Sequence, residues 1–482
     1  MSTNKIGIHI FRRDMRLPDN NALHLLSQEV DYIIPIFIFD PFQVKPNSKN
    51  KSYRSCPAIN LMIECLLDLN SHLNKKKSQL YFFYGKPEQV LDNIIKLIQP
   101  SHVSYNADFS KYSIERDALM DEVCNKHQVN IIKYMNDLTL NNMEYYLNPN
   151  NNSFFKVFGS YYKNAIKIPV RKAVPEPGPN KFIQKNKQDL NSKYYIKNIG
   201  TFIKKLYDSG LHNKIKGGRT NAELILDNIK QFGNYEQERN NLHYNTSCLS
   251  GYLKFGCVSL VETYHAMHLP KNILKDLIKQ LYWRQYFFIL AKYNYNNYNH
   301  QDEFFKNIKW KNDIQEARLL WDKAQTGFPA IDAAVRQLLK EGYMHNRGRL
   351  IVSNFAVKIL QQDPFNWKTY GGQFVFSRLL YDNCYANNYG NWNFTLGPYD
   401  LSGFRFGKGG TRSGRLINPI NFKKWDPELL YVRKYIPELA SVPDRDVFNW
   451  YTAYKKYPEV DYPGPCLDYN KRKEEWYKIT KV

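Results

Sequence analysis

Over the first 126 positions, apolar residues fall in short runs separated by longer stretches of mixed character. Residues 6–11, 31–40, 79–85 and 102–106 are brief and rich in β-branched and aromatic side chains, which predicts strands. The second run has no helical periodicity and contains Pro35, and Gly85 closes the third. Between the runs, 58–73 places apolar residues at i, i+3 and i+4, and 87–98 and 114–126 also read as helices. Strands alternating with helices predict an α/β domain built on a doubly wound, parallel, Rossmann-like sheet.

The stretch 136–215 breaks this rhythm. Asn, Lys and Pro crowd it (NPNNNS, AVPEPGPNK), and the expectation is a long connector between domains. From Gly217 onward the pattern is helical. Residues 222–232 are amphipathic, and 273–293 are apolar nearly all round, which predicts a central buried helix. A further helix over 332–340 runs out towards Gly342, a residue suited to a C-cap. The expected organisation is an α/β domain over 1–135, a connector over 136–215 and an all-α domain over 216–482.

A chain of 482 residues exceeds one typical core, so two or three domains agree with this division. With 37 Tyr, 28 Phe and 8 Trp there is ample apolar surface for folding. The net charge of +23 arises from 68 Lys and Arg against 45 Asp and Glu. It is spread along the chain, and a general bias towards Lys accounts for part of it. A polyanion such as nucleic acid is still favoured as a partner. The seven Cys form no C-x-x-C pair and no H-E-x-x-H occurs, so zinc ribbons, redox dithiols and zinc peptidases are not indicated and no metal is expected. The apolar run near the start is too short for a signal peptide, and no segment approaches the length of a membrane span. A soluble, monomeric, intracellular protein is expected, in cytoplasm or nucleus.

The densest chemistry lies in YDNCYANNYGNWNF (381–394). It concentrates Asp382, Cys384, Asn387, Asn388, Gly390 and Trp392, as a site for a flat, polar, redox-active ring would. Two predicted helices offer similar faces. LIKQLYWRQYFF sets Gln280, Trp283 and Arg284 at i, i+3 and i+4, and MHNRGRL sets Asn346, Arg349 and Leu350 likewise, with Arg347 turned away. Either face alone is most simply a satisfied buried polar group; both together with 381–394 point to a shared cofactor pocket. A buried Arg349 needs a carboxylate, and Asp382 is its natural partner. NTSCLSGYLKFG (245–256) runs hydroxyls into a helix start, which suits phosphate or a plain N-cap.

These residues bring the chain to a resemblance. FRRDMRLPDNNAL, GGRTNAELIL, TSCLSGYLKFGCVS, LYWRQYF, TGFPAIDAAVRQLLKEGYMHNRGRL, NNYGNWNF and WDPELLYVRKYIPEL occur in the order found in the photolyase/cryptochrome flavoprotein family. The resemblance covers nearly the whole chain. It implies an N-terminal α/β domain and an all-helical C-terminal domain that holds FAD. By position, Tyr235, Thr246, Ser247, Cys248, Leu249 and Ser250 would hold its phosphates and ribityl chain. Arg284, Asn346, Arg349, Asp382 and Cys384 would line the flavin, with Asn388 facing its N5. Trp392, Trp367 and Trp321 match the family's electron-carrying tryptophans. Cys248 stands where the family usually has Arg, and Cys384 where it often has Asp. An antenna chromophore, methenyltetrahydrofolate or a deazaflavin, is a further option in the N-terminal domain.

The resemblance implies a deoxyribodipyrimidine photo-lyase that repairs UV-damaged DNA under blue light, splitting cyclobutane pyrimidine dimers. The lesion side would be formed by Gln280, Trp283, Arg347, Leu350 and Phe394, with Trp283 stacking on the dimer and Arg347 meeting a phosphate. The Asn346–Arg347 pair resembles cyclobutane-dimer enzymes, whereas (6-4) photolyases typically carry His at the positions of Asn346 and Leu350. Gln280 replaces the usual Glu, Leu350 replaces Met and Phe394 replaces Trp. The alternatives are a repair enzyme for another lesion and a cryptochrome photoreceptor, including one resembling the DASH branch that favours single-stranded DNA.

Overall fold

The structure, a computed structural model, describes residues 4–45, 55–185, 190, 192–293, 308–396 and 416–480. By contacts the chain forms two compact units. The first comprises residues 1–210, 215–231 and 247–292; the second comprises 211–214, 232–246 and 293–482.

The first unit holds a five-stranded parallel sheet: β1 (Ile6–Phe11), β2 (Tyr32–Phe39), β3 (Tyr81–Tyr84), β4 (His102–Asn106) and β5 (Asn130–Tyr134). Their order is β3-β2-β1-β4-β5, so the sheet is doubly wound as expected. The helices Asn21–Glu29, Cys56–Lys75, Pro87–Ile98 and Lys111–Lys126 intervene. β1 and β2 are buried almost throughout, because a sheet covered on both faces needs continuous apolar runs. Pro35 is tolerated in β2 because β3 joins that strand only from Ile36 onward. β5 escaped the sequence reading because its residues are only half-buried or exposed and carry no clean alternation.

The stretch expected to be a plain connector is better organised than its composition suggested. It contains the Met143–Tyr146 and Pro179–Lys181 3-10 turns and the Phe158–Ala165 and Ile199–Lys204 helices. Met143, Tyr146, Phe155, Phe158 and Tyr161 are buried. Widely spaced aromatic anchors hold it down, and such spacing leaves no periodic signal. The first unit also takes in the helices Arg219–Asp227, Leu249–Phe255, Leu260–Met267 and Lys275–Tyr293. The helix expected over 222–232 is two elements, since the α-helix stops at Asp227 and a 3-10 turn follows from Ile229 to Phe232.

The second unit is helical. Its core is built on Pro329–Glu341, Asn346–Asn354, Gly372–Leu379 and Tyr385–Leu396. Gly342 caps the first of these at φ 60°, in the left-handed region that favours glycine. Asp332 is wholly buried but satisfied: it accepts from Thr326 N, Thr326 Oγ1, Gly327 N and Tyr462 Oη at 2.6–3.0 Å. It fixes the TGFPAID turn that leads into the core helix.

Candidate functional site

In the second unit, the helices Asn346–Asn354 and Tyr385–Leu396, with Phe376 and the Leu380–Cys384 stretch, line a half-open cavity of about 90 Å³. Asn346, Arg349, Leu350, Asp382, Cys384 and Asn388 all line it, as does Trp392. The predicted helical face and the predicted polar cluster thus meet at one site. Arg347 is not among the lining residues; its guanidinium is hydrogen-bonded to Asn240.

Arg349 is the electrostatic centre. Its Nη2 donates to Asp382 Oδ2 at 2.8 Å, and its Nε donates to the Met344 carbonyl at 2.8 Å. Burial opposes the charge on Arg349, but Asp382 outweighs it and the pKa moves up. The guanidinium also lies 5.3 Å above the Tyr343 ring, which stacks on Tyr381 at 5.6 Å. Thr246 Oγ1 is 3.0 Å from Tyr343 Oη, which ties one predicted phosphate-side residue to this wall. Tyr235 begins the short Tyr235–Glu238 helix, also in the second unit.

Asn388 is oriented by its neighbours. Its Nδ2 donates to the Gln373 carbonyl at 3.0 Å and to Ser377 Oγ at 3.1 Å. The amide's donor side is therefore committed, and Oδ1 is the atom left to face a ligand. Trp392 packs its indole over Gly372, where an added Cβ would fall 2.1 Å from Trp392 Cη2. Only glycine permits this approach.

The tryptophans do not stand alike. Trp392 and Trp321 are both fully buried, and each meets Phe376, at 5.1 and 5.9 Å between centroids. Trp321 sits in a π-helical turn, Leu319–Lys323, and its Nε1 has no hydrogen-bond partner among the described residues. Trp367 is 63% exposed and makes no ring contact among the described residues. Phe394 is 59% exposed and is not a lining residue of the cavity.

Ser353, Asn391 and Thr395 also line the cavity, and Ser353 Oγ lies 3.2 Å from Thr395 Oγ1. Sequence reasoning missed them. The signal was available: Ser353 continues the Asn346, Arg349 and Leu350 face by three residues, and 384, 388, 391 and 395 follow helical spacing.

The remaining candidates lie in the first unit. On the Lys275–Tyr293 helix, Gln280, Trp283 and Arg284 are half-buried while Leu281, Tyr282 and Gln285–Ala291 are buried. They form the one expected face. Gln280 donates back to Asp276 O at 3.0 Å, and Arg284 Nη2 donates to Leu253 O at 2.9 Å. Trp283 stacks on Phe158. None of the hydroxyl residues of 246–250 occupies the N-cap position of the following helix. That helix starts at Leu249, and its cap is Cys248, at φ 51° with no side-chain cap bond. A non-glycine residue there costs about 1 kcal/mol. At the sheet's switch point, past the carboxyl ends of β1 and β4, Arg12 pairs with Asp117 at 2.8 Å and Arg13 with Asp108 at 2.6 Å.

Residues 7–179 match the DNA photolyase family model, and residues 277–481 match the FAD-binding domain of DNA photolyase. The chain belongs to the photolyase/cryptochrome family. A (6-4) DNA photolyase of Arabidopsis thaliana is 27% identical over 94% of this chain and 83% of its own length. A deoxyribodipyrimidine photo-lyase of Buchnera aphidicola is also 27% identical, over 98% and 96%. The crystal structure of an archaeal photolyase from Sulfolobus tokodaii, with two FAD molecules, superposes with a TM-score of 0.83 at 28% identity, covering 98% of this chain and 99% of that one. Both the parallel-sheet region and the helical FAD-binding domain are those of the family. The chemistry of the lining suits part of FAD: it offers an anchored guanidinium, a buried carboxylate and an amide oxygen, beside an indole.

Proposed function

We propose that this protein is a light-dependent DNA repair enzyme that splits cyclobutane pyrimidine dimers. Family membership alone leaves the lesion open, since similar proteins include photolyases for both lesion types. The observation that carries the choice is the cavity wall at Asn346 and Leu350. An amide and an aliphatic side chain cannot move protons, whereas (6-4) repair in the family relies on imidazoles at those positions.

FAD, when bound, would supply the light-driven electron transfer. The protein's contribution is binding, orientation and exclusion of water. Tyr235, Thr246, Ser247, Cys248, Leu249 and Ser250 are assigned to the phosphates and ribityl chain, and Arg284 and Cys384 to the flavin surroundings. Arg349, held by Asp382, keeps a fixed positive charge at the cavity wall. Asn388 presents an acceptor, because Gln373 and Ser377 hold its donor side. Trp392 closes the cavity with an easily oxidised indole, and Trp321 and Trp367 are the further members of the proposed electron supply. Trp367, being exposed, suits the solvent end.

On the DNA side, the net charge of +23 supports docking to phosphates, so binding should weaken with salt. The dimer is flipped from the stack to meet Trp283, with Gln280 hydrogen-bonding a thymine edge and Arg347 meeting a phosphate. The test uses reduced, FAD-loaded protein with oligonucleotides carrying either a cyclobutane dimer or a (6-4) photoproduct, under blue light. Loss of the cyclobutane dimer alone is expected. Dimers persisting in single and double strands while the flavin photoreduces normally would overturn repair and favour a photoreceptor.

A further inference from the structure

Phe158 opens the Phe158–Ala165 helix, and its ring lies parallel to the Trp283 indole, with 3.5 Å between centroids and 7° between planes. That is close to the spacing of stacked bases. Free aromatic rings prefer an offset, because their quadrupoles repel in a full sandwich. The surroundings must therefore hold this pair in place.

They do so on several sides. Tyr162 stacks on Phe158 at 5.6 Å and 15°. Tyr286 stands edge-on to Phe158 at 75° and to Trp283 at 80°, and its hydroxyl donates to the Lys156 carbonyl at 2.8 Å. Gln285, wholly buried, accepts from Leu140 N at 2.7 Å and donates to Tyr161 Oη at 2.7 Å. The Tyr286–Lys156 and Gln285–Tyr161 bonds fasten the Phe158 helix and the stretch just before it to the helix that carries Trp283, and the Leu140 bond ties in a further segment. Phe287, one turn beyond Trp283, covers a further part of the indole at 5.8 Å. Phe158 is buried and Trp283 half-buried, so Trp283 is the ring that reaches solvent. A ring fastened in this way acts as a backing plate and does not swing aside.

We propose that Phe158 is a positioning residue: it fixes the plane of the Trp283 indole so that a flipped-out pyrimidine dimer stacks on the part of Trp283 left open. The assignment rests on the repair reading above. It gives the 136–215 stretch a share in substrate recognition.

The test compares wild type, Phe158→Leu, Phe158→Met and Phe158→Tyr, all FAD-loaded. Affinity is measured for an oligonucleotide with one cyclobutane dimer and for the same oligonucleotide undamaged, alongside flavin photoreduction and dimer loss under blue light. Phe158→Leu should lower dimer affinity about tenfold, the scale of one stacking contact, with undamaged-DNA affinity and photoreduction unchanged. Phe158→Met serves as the second flat-face deletion should the Leu variant fold poorly. Phe158→Tyr should recover wild-type affinity to within about twofold, since it keeps the flat ring. An unchanged or raised preference for dimer DNA in the Leu and Met variants overturns the proposal; so does a Tyr variant as weak as Leu. Wild type without dimer repair overturns the repair reading and this assignment with it. Wild type that repairs while the Leu and Met variants keep their preference overturns the assignment alone.

Discussion

Two helices in this chain carry the same arrangement of amide, arginine and apolar or aromatic residue, and the structure uses them differently. On the Lys275–Tyr293 helix, Gln280 bonds back to its own backbone, Arg284 donates to Leu253 O, and Trp283 lies against Phe158. On the Asn346–Asn354 helix, Arg349 finds a carboxylate, and Asn346 and Leu350 line an open cavity. Spacing determines which residues share a face. What stands opposite that face determines whether it packs, binds or both.

The largest effect should come from breaking the ion pair on the cavity side. Asp382→Asn leaves the Arg349 charge without its counterion. The expected cost is about 2–3 kcal/mol, below that of a fully enclosed pair because Arg349 is partly exposed. FAD should be lost in parallel, read as the ratio of flavin to protein absorbance after purification. Full flavin retention with unchanged denaturant stability would show that the pair is not what organises the cavity.

That pair was legible in the sequence because two facts met: helical spacing selected Arg349, and a buried guanidinium demands a carboxylate. The sheet was legible too, through short apolar runs bounded by helices. What stayed hidden depended on contacts far along the chain. Phe158 looked like one aromatic residue in an Asn- and Lys-rich stretch, and nothing local paired it with Trp283. Asn388 could be selected by motif, but its orientation depends on Gln373 and Ser377, which lie 15 and 11 residues away. Trp321 and Trp367 looked alike as letters, yet one is in the core and the other in solvent.

The next test concerns pH. His345 caps the cavity helix: its Nδ1 accepts from Arg347 N at 3.1 Å. Burial, together with Lys214, Arg349 and Arg347, lowers its pKa from 6.5 to about 3. The unfolded chain takes up a proton at this residue below pH 6.5, and the folded chain does not, so stability should fall as pH drops from about 6.5 towards 3. His345→Asn keeps a capping oxygen and removes that proton. At pH 5 it should recover about 2 kcal/mol relative to its own effect at pH 8, by urea unfolding. Equal effects at both pH values would mean that His345 is protonated when folded.

A smaller effect tests the cavity wall. Gly372→Ala puts a methyl group into the Trp392 indole and should cost about 1–2 kcal/mol as the ring shifts. Photoreduction of the bound flavin should slow, as it should in Trp392→Phe. If Gly372→Ala destabilises without slowing photoreduction, the position of Trp392 matters for packing and not for electron supply.

The smallest expected effect on folding comes from the covered face, and it separates packing from recognition. Gln280 is half-buried, and its only bond among the described residues returns to the Asp276 carbonyl of its own helix. Gln280→Ala should therefore change stability by less than about 0.5 kcal/mol, and Ala is the better helix former. Flavin content should also hold. If Gln280 reads a thymine edge, affinity for dimer-containing DNA should still drop about fivefold while undamaged DNA binds as before. A destabilisation well above that bound, with DNA preference intact, would make Gln280 a packing residue. The two helical faces would then differ completely, one structural and one binding. The predicted outcome instead leaves the Lys275–Tyr293 face fixed from behind by Phe158 and reading DNA with what remains open.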